Sequence, residues 1–211
     1  MDTPSDFRIR FAEKGLEEVE RSLANVKIQG RKELLKEVGK LRSEIQVIKY
    51  SYISFDDLAG FESTLKISET SKEIAERILN AEIDFHRFNA EYWLDYLTSL
   101  PDLFKRGEIS KACEAIRYFS GEIISAVKIS ENLWICSFNW GRKMSIVTNS
   151  NEFTTGNAVV SYLPPKQFGN AVSQGMFVSA QLDKKGELEH SEILSIVDRL
   201  GEVEAILLGM I

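Results

Sequence analysis

Residues 158–180, AVVSYLPPKQFGNAVSQGMFVSA, are the part of the chain best suited to recognition chemistry. An alternating apolar run meets Pro164-Pro165, Lys166 and Phe168, and a second run is interrupted by Ser173-Gln174-Gly175-Met176. A glycine inside a strand marks a bulge or the close approach of another backbone or a ligand. Ser173 and Gln174 can offer donors and acceptors to phosphate, sugar or base edges, and Met176 a polarizable surface for a base. The competing reading is a bulge that only closes a small barrel, with Ser173 and Gln174 facing solvent.

Bond-making chemistry has less footing. Cys113 and Cys136 are not spaced as metal ligands, and His86 lies far from His190. Walker-type, Rossmann-type and zinc-type spacings are absent. The expectation is a protein without catalytic residues, metal or cofactor. Charge points the same way only in part. A net charge of −6 argues against coating nucleic acid by bulk charge, so any such binding needs a local patch. Lys128, Arg142, Lys143 and Lys166 are candidates for it. Residues 119–187 nevertheless hold six basic side chains against five acidic ones, a near balance that is weak for a phosphate binder. A second basic source is Lys32, Lys36 and Lys40, at i, i+4, i+8. That stripe either extends a nucleic-acid footprint or pairs with Glu33, Glu37 and Glu44 on an outer helix face.

The elements that must position these residues change period halfway. Leu34, Val38, Leu41, Ile45, Ile48 and Tyr52 alternate spacings of 4 and 3, the seam of one helix packed lengthwise on another. Ile74, Ile78, Ala81, Phe85, Phe88 and Tyr92 repeat it over 69–100, with Thr70 or Ser71 as cap and Leu100-Pro101 as stop. Joined by residues 55–68, the two predict an antiparallel coiled-coil-like hairpin, doubled in a homodimer. A shorter helix over 16–26 and a helical linker over 109–119 complete this half. From residue 119 the pattern becomes five short strands, 122–129, 133–140, 144–148, 158–163 and 172–180, with Gly, Asn and Pro between them. The expected fold class is α+β in two domains. An all-α helical hairpin or bundle (1–118) precedes a five-stranded OB-fold β-barrel with a terminal helix (119–211). Residues 203–208 read equally as helix or strand. The acidic N-terminus lacks a signal-peptide pattern, and no apolar run nears the roughly 18 residues of a membrane span. A cytoplasmic protein without membrane contact is expected.

Ile146-Val147-Thr148-Asn149, Gly156-Asn157-Ala158-Val159-Val160, Leu163-Pro164-Pro165-Lys166 and Ser173-Gln174-Gly175-Met176 occur in that order. Residues 120–181 thereby resemble the EMAP-type tRNA-binding domain. With the helical half, the chain is similar to archaeal predicted RNA-binding proteins carrying such a domain at the C-terminus. The resemblance implies that the fifth strand lies on a tRNA-contacting face, with Ser173, Gln174, Met176, Asn149 and Lys166 among the contacts. It also implies that Phe138 and Trp140 are core, leaving Ser137 and Asn139 outward for RNA. Trp134 either stacks on a base or closes one barrel end. The chain departs from the family at residues 129–133, where a His-Pro-x-Ala-Asp-like segment is missing, and at a shortened 150–156 connection. Preference for the tRNA elbow is therefore not carried over.

The first functional expectation is non-catalytic binding of tRNA or another structured RNA by the barrel, the helices serving dimerisation or partner docking. The alternative is a scaffold, for example one associated with an aminoacyl-tRNA synthetase, whose helical domain binds a protein and whose barrel has little RNA affinity.

Overall fold

The helical half begins with a local device. The Asp6 carboxylate accepts the N–H of Arg8 at 2.9 Å and caps α1 (Phe7–Asn25), supplying an acceptor to a first-turn donor that has no partner within the helix. In the computed structural model, which describes residues 2–180 and 182–211, five more helices follow. They are α2 (Arg31–Lys49), α3 (Phe55–Gly60), α4 (Glu62–Ile78), α5 (Phe85–Thr98) and α6 (Leu100–Phe104). The chain divides into two units, residues up to Ala115 with Ile211, and Ile116–Met210.

Four long helices make the core of the first unit. α1 and α4 each pack on both α2 and α5. Cross-links fix antiparallel directions: Arg42 to Glu20 and Lys49 to Glu13 join α2 to α1, each at 2.9 Å. Arg77 to Glu37 at 2.9 Å, and Lys66 to Glu44, join α4 to α2. The Lys66 hydrogen bond holds the Glu44 carboxyl below its usual range. On α2 the buried positions are Leu34, Val38, Leu41, Ile45 and Ile48, the expected seam, whereas Tyr52 lies beyond the helix and is exposed. With α1 added and the second helix split in two, the expected hairpin is a four-helix bundle, in which α1 and α4 each pack on both α2 and α5.

Three boundaries differ from expectation. α1 starts at Phe7 rather than near 16. The helix expected over 69–100 begins at Glu62 and breaks at 79–84, where Asp84 recaps α5 by accepting the Arg87 N–H at 2.8 Å. Ser71 is buried within α4 instead of capping it, and Pro101 starts α6, where its missing N–H is tolerated. The one helical turn in the 109–119 linker is 3-10, Ala112–Ala115, and residues 118 and 119 already belong to a strand.

A fully buried ion pair anchors this unit. The Arg8 guanidinium binds Asp6 at 2.7 and 2.9 Å, donates to the Leu103 carbonyl at 2.8 Å, and lies 4.3 Å from the Phe55 ring and 5.1 Å from the Phe104 ring. Tyr96 donates between the carbonyls of Arg8 and Ala115, and burial pushes its phenol up.

The second unit is a curled antiparallel sheet. Its strands are β1 (Tyr118–Ser130), β2 (Leu133–Asn139), β3 (Lys143–Thr148), β4 (Gly156–Phe168), β5 (Ala171–Val178) and a two-residue β6 (Gly186–Glu187). Their order is β3-β2-β1-β4-β5, with β6 beside β1. Inward residues Phe119, Ile123, Cys136, Phe138, Ile146, Val160 and Phe177 form the core. Trp140 stacks on Phe119 at 4.0 Å, so both expected core aromatics of β2 and its turn are packed. Two glycines let strands approach: a Cβ at Gly121 would meet the Asn139 carbonyl oxygen at 2.4 Å, and one at Gly175 the Ser161 oxygen at 2.3 Å. α7 (His190–Ser195) and α8 (Gly201–Leu208) end the chain, so 203–208 are helical. No helix among the described residues is long and apolar enough to cross a membrane.

Candidate nucleic-acid interface

β4 and β5 pair regularly from Val159–Val178 to Tyr162–Gly175, then lose register until Lys166–Ser173. The interruption falls on Leu163-Pro164-Pro165, because proline has no N–H to give a ladder. β5 nevertheless turns toward β3, and two side chains join them. Ser173 Oγ accepts the Val147 N–H at 2.9 Å and donates to the Gly175 carbonyl at 2.8 Å. Gln174 Oε1 accepts the Ser145 N–H at 3.1 Å. This seam closes the barrel where no backbone ladder runs between the strands. Ser173 is 3% exposed, so its hydroxyl serves closure rather than facing an outside ligand. The small polar pair and the glycine thus answer one geometric need: Gly175 lets β5 lie close to β4, and Ser173 with Gln174 satisfies β3. Ser173→Ala should leave the buried Val147 N–H without its acceptor and lower stability by about 1–3 kcal/mol in urea unfolding.

Beside this seam lies a cleft of about 610 Å³. It brings together Asn149, Lys166, Ser173 and Met176 of the expected contacts, with Pro164 and Phe168 on one wall and Ile206 and Met210 from the C-terminal end on another. Ile206 and Met210 were not foreseeable as site residues while 203–208 could be helix or strand. Pro164 and Phe168 stood in the quoted motif but carried no assigned role.

The remaining candidates lie elsewhere on the barrel. Pairings Ser125–Ser137–Ser145 and Glu122–Asn139–Lys143 run across β1, β2 and β3. Alternation puts these rows on the face opposite Cys136 and Phe138, so Ser137, Asn139 and Lys143 point outward. Asn139 Oδ1 is engaged by the Gly141 N–H at 3.1 Å. Ser125 and Ser145 join that row by register alone, which spacing within one strand does not reveal. Arg142 sits in the β2–β3 turn, its guanidinium 5.9 Å from the Trp140 ring. Lys128 Nζ lies 5.6 Å from the Trp134 ring, and Lys166 Nζ the same distance from the Phe168 ring. Trp134 is half-buried and packs against the core. The ten candidates therefore do not form one patch: Asn149, Lys166, Ser173 and Met176 line the cleft, Gln174 lies in the seam, Ser137, Asn139 and Lys143 face outward, Arg142 sits in the turn, and Lys128 is level with Trp134.

Charge is distributed unevenly. Lys128, Arg142, Lys143 and Lys166 are exposed, and none forms an ion pair among the described residues. Lys184 instead binds Glu192 at 2.6 Å, a hydrogen bond that holds the Glu192 carboxyl below its usual range. The Cys136 thiol contacts the Phe153 carbonyl at 3.1 Å, and burial pushes it up, which keeps it protonated. No group of three or more His, Cys, Asp or Glu among the described residues could hold a metal ion. On the helical unit the expected pairing of Lys32, Lys36 and Lys40 with Glu33, Glu37 and Glu44 does not occur. Glu33 and Glu37 face Arg77, at 3.7 and 2.9 Å, and Glu44 binds Lys66. The neighbouring helix supplies better-placed cations than the same helix does.

No curated protein matches the chain. A family model described as "Alpha helical domain" matches residues 1–107, just over half of the 211 residues, and includes none of the barrel. By its helical half the chain belongs to the alpha helical domain family.

Proposed function

We propose that this protein is a non-catalytic RNA-binding protein whose barrel takes tRNA or another structured RNA, and that the barrel is of the EMAP type. The observation that carries the reading is a repeated pairing. Three times on the barrel an exposed cation lies within 6 Å of a half-buried aromatic ring: Lys128 by Trp134, Arg142 by Trp140, and Lys166 by Phe168. Cations that can track a phosphate backbone are one requirement for holding unpaired nucleotides, and a ring that accepts a base is another; Phe168, beside Lys166 and outside the core cluster, is the ring best placed for it. Structured RNA offers both phosphates and unstacked bases. The cleft beside Lys166 adds apolar walls, Met176 and Pro164, and an amide at Asn149 that can read a base edge. Barrel cations without internal partners remain available to an outside anion. A cytoplasmic, archaeal-type protein acting with tRNA is the setting this reading implies.

The test is a salt titration of tRNA binding by the full chain. Lys166→Ala is expected to lower the slope of log K against log salt by about 0.7–0.9, one phosphate contact, and Arg142→Ala with Lys143→Ala by about twice that. Absence of tRNA binding at about 50 mM salt, where phosphate contacts are strongest, would overturn the proposal. The scaffold reading, with a synthetase or another protein on the helices, would then take its place. It has one observation in its favour, the outward faces of α2 and α4.

A further inference from the structure

We propose that α2 and α4 together form a self-complementary surface that docks on a second copy of this chain. The inference concerns the helical unit and does not rest on RNA binding. On α2, Lys32, Lys36, Lys40 and Val47 fall within about a quarter of the helix circumference at 3.6 residues per turn, with Tyr50 just past the end of the helix, and all are exposed. On α4, Leu65, Glu69, Glu73 and Glu76 fall within a similar arc, with Leu79 just past the end of the helix, and all are exposed. Among the described residues no ion pair involves Lys32, Lys36, Lys40, Glu69, Glu73 or Glu76. Lys72 is the one cation in the acidic row.

The bridges Glu37–Arg77 and Glu44–Lys66 set the levels of the two antiparallel helices. By those levels Lys36 is abreast of Glu76, Lys40 of residues 72–73, and Val47 of Leu65. A two-fold axis parallel to the helices would carry α2 of one copy over α4 of the other, at the same level and in the opposite direction. Lys36 then meets Glu76 of the second copy, Lys40 meets Glu73, and Val47 meets Leu65, each contact occurring twice. This symmetry makes the patch complementary to itself. A nucleic acid fits less well. Helix axes lie about 8–10 Å apart, so phosphates on the lysines would run within about one Debye length of the glutamate row. With helices of 19 and 17 residues, the face measures about 25 by 20 Å, or about 1,000 Å² buried over both copies. That meets the lower bound for a specific contact.

Sedimentation of the full chain over a concentration series tests this, with thermal melts to confirm that surface variants fold. Wild type should dimerise, more weakly at high salt. K36E/K40E and E73K/E76K should each weaken the dimer by about tenfold or more, since like charges then face each other. Mixing the two variants should restore a dimer, because acidic α2 then meets basic α4 and basic α2 meets acidic α4. A wild-type chain that stays monomeric overturns the proposal, as does a dimer insensitive to both variants. If K36E/K40E lowers tRNA binding without changing mass, the stripe is a nucleic-acid contact instead and the proposal also fails.

Discussion

Asp6→Ala is expected to destabilise the helical domain by about 3–5 kcal/mol, the cost of leaving a buried cation without its partner. The Arg8 side chain is 0% exposed and that of Asp6 4%, so water cannot replace the carboxylate without opening the packing around Phe55 and Phe104. The same substitution removes the α1 cap, whose loss alone costs about 1 kcal/mol. Urea unfolding reads the total. A sharper result comes from comparing Asp6→Ala with the double variant Asp6→Asn, Arg8→Met. The double variant removes both charges, keeps a capping oxygen, and fills the site with an apolar chain of similar length. It should be the more stable of the two, since replacing both members of a buried pair is often neutral. Equal losses would mean that the guanidinium is held by the Leu103 carbonyl and the rings rather than by Asp6.

Gly121→Ala and Gly175→Ala are expected to damage the barrel most, each by about 3 kcal/mol, at the upper end of overpacking effects. The obstacles are backbone atoms: the Asn139 carbonyl and the Trp140 Cα for Gly121, and the Ser161 carbonyl for Gly175. Flexible side chains could move aside, whereas paired strands cannot without breaking register. Gly39→Ala is the control. Nothing lies within 4 Å of a Cβ there, and the position is interior to α2, so alanine should stabilise by about 1 kcal/mol. Thermal melts of the three variants should separate them by sign. A neutral Gly175→Ala would mean that β5 can shift away from β4, and the reason given for glycine at that position would fall.

The two halves differ in how readily their fold and site can be read from sequence. The α2 seam was plain because five buried residues at alternating spacings of 4 and 3 have no other explanation. The break at 79–84 was hidden for a related reason. Ile78, Ala81 and Phe85 keep the same period across it, and Asp84, the residue that recaps α5, is an ordinary acid until its side chain is seen to accept the Arg87 N–H. The start of α1 was missed because its first turn buries Arg8, which pattern reading counts as polar. In the barrel, the unusual residues of β5 were recognisable by type, but their task depended on β3, about 26 positions away in sequence. Spacing within a strand tells which residues share a face and not what stands opposite them. Ser173 was therefore legible as special and illegible as a seam residue. The cleft needed two further facts, the ladder gap at the prolines and the helical state of α8.

The side-chain seam between β3 and β5 also bears on how this protein could fail. A sheet that ends in two strands without a mutual backbone ladder has two edges, and an unguarded edge is a template for another chain's strand. Here the guard is one hydroxyl and one amide. Sequence drift at 173 or 174 would change more than melting temperature: it would offer β3 donors to a neighbouring molecule, favouring strand exchange and polymerisation. Dye-binding and light-scattering assays on such variants would detect that hazard.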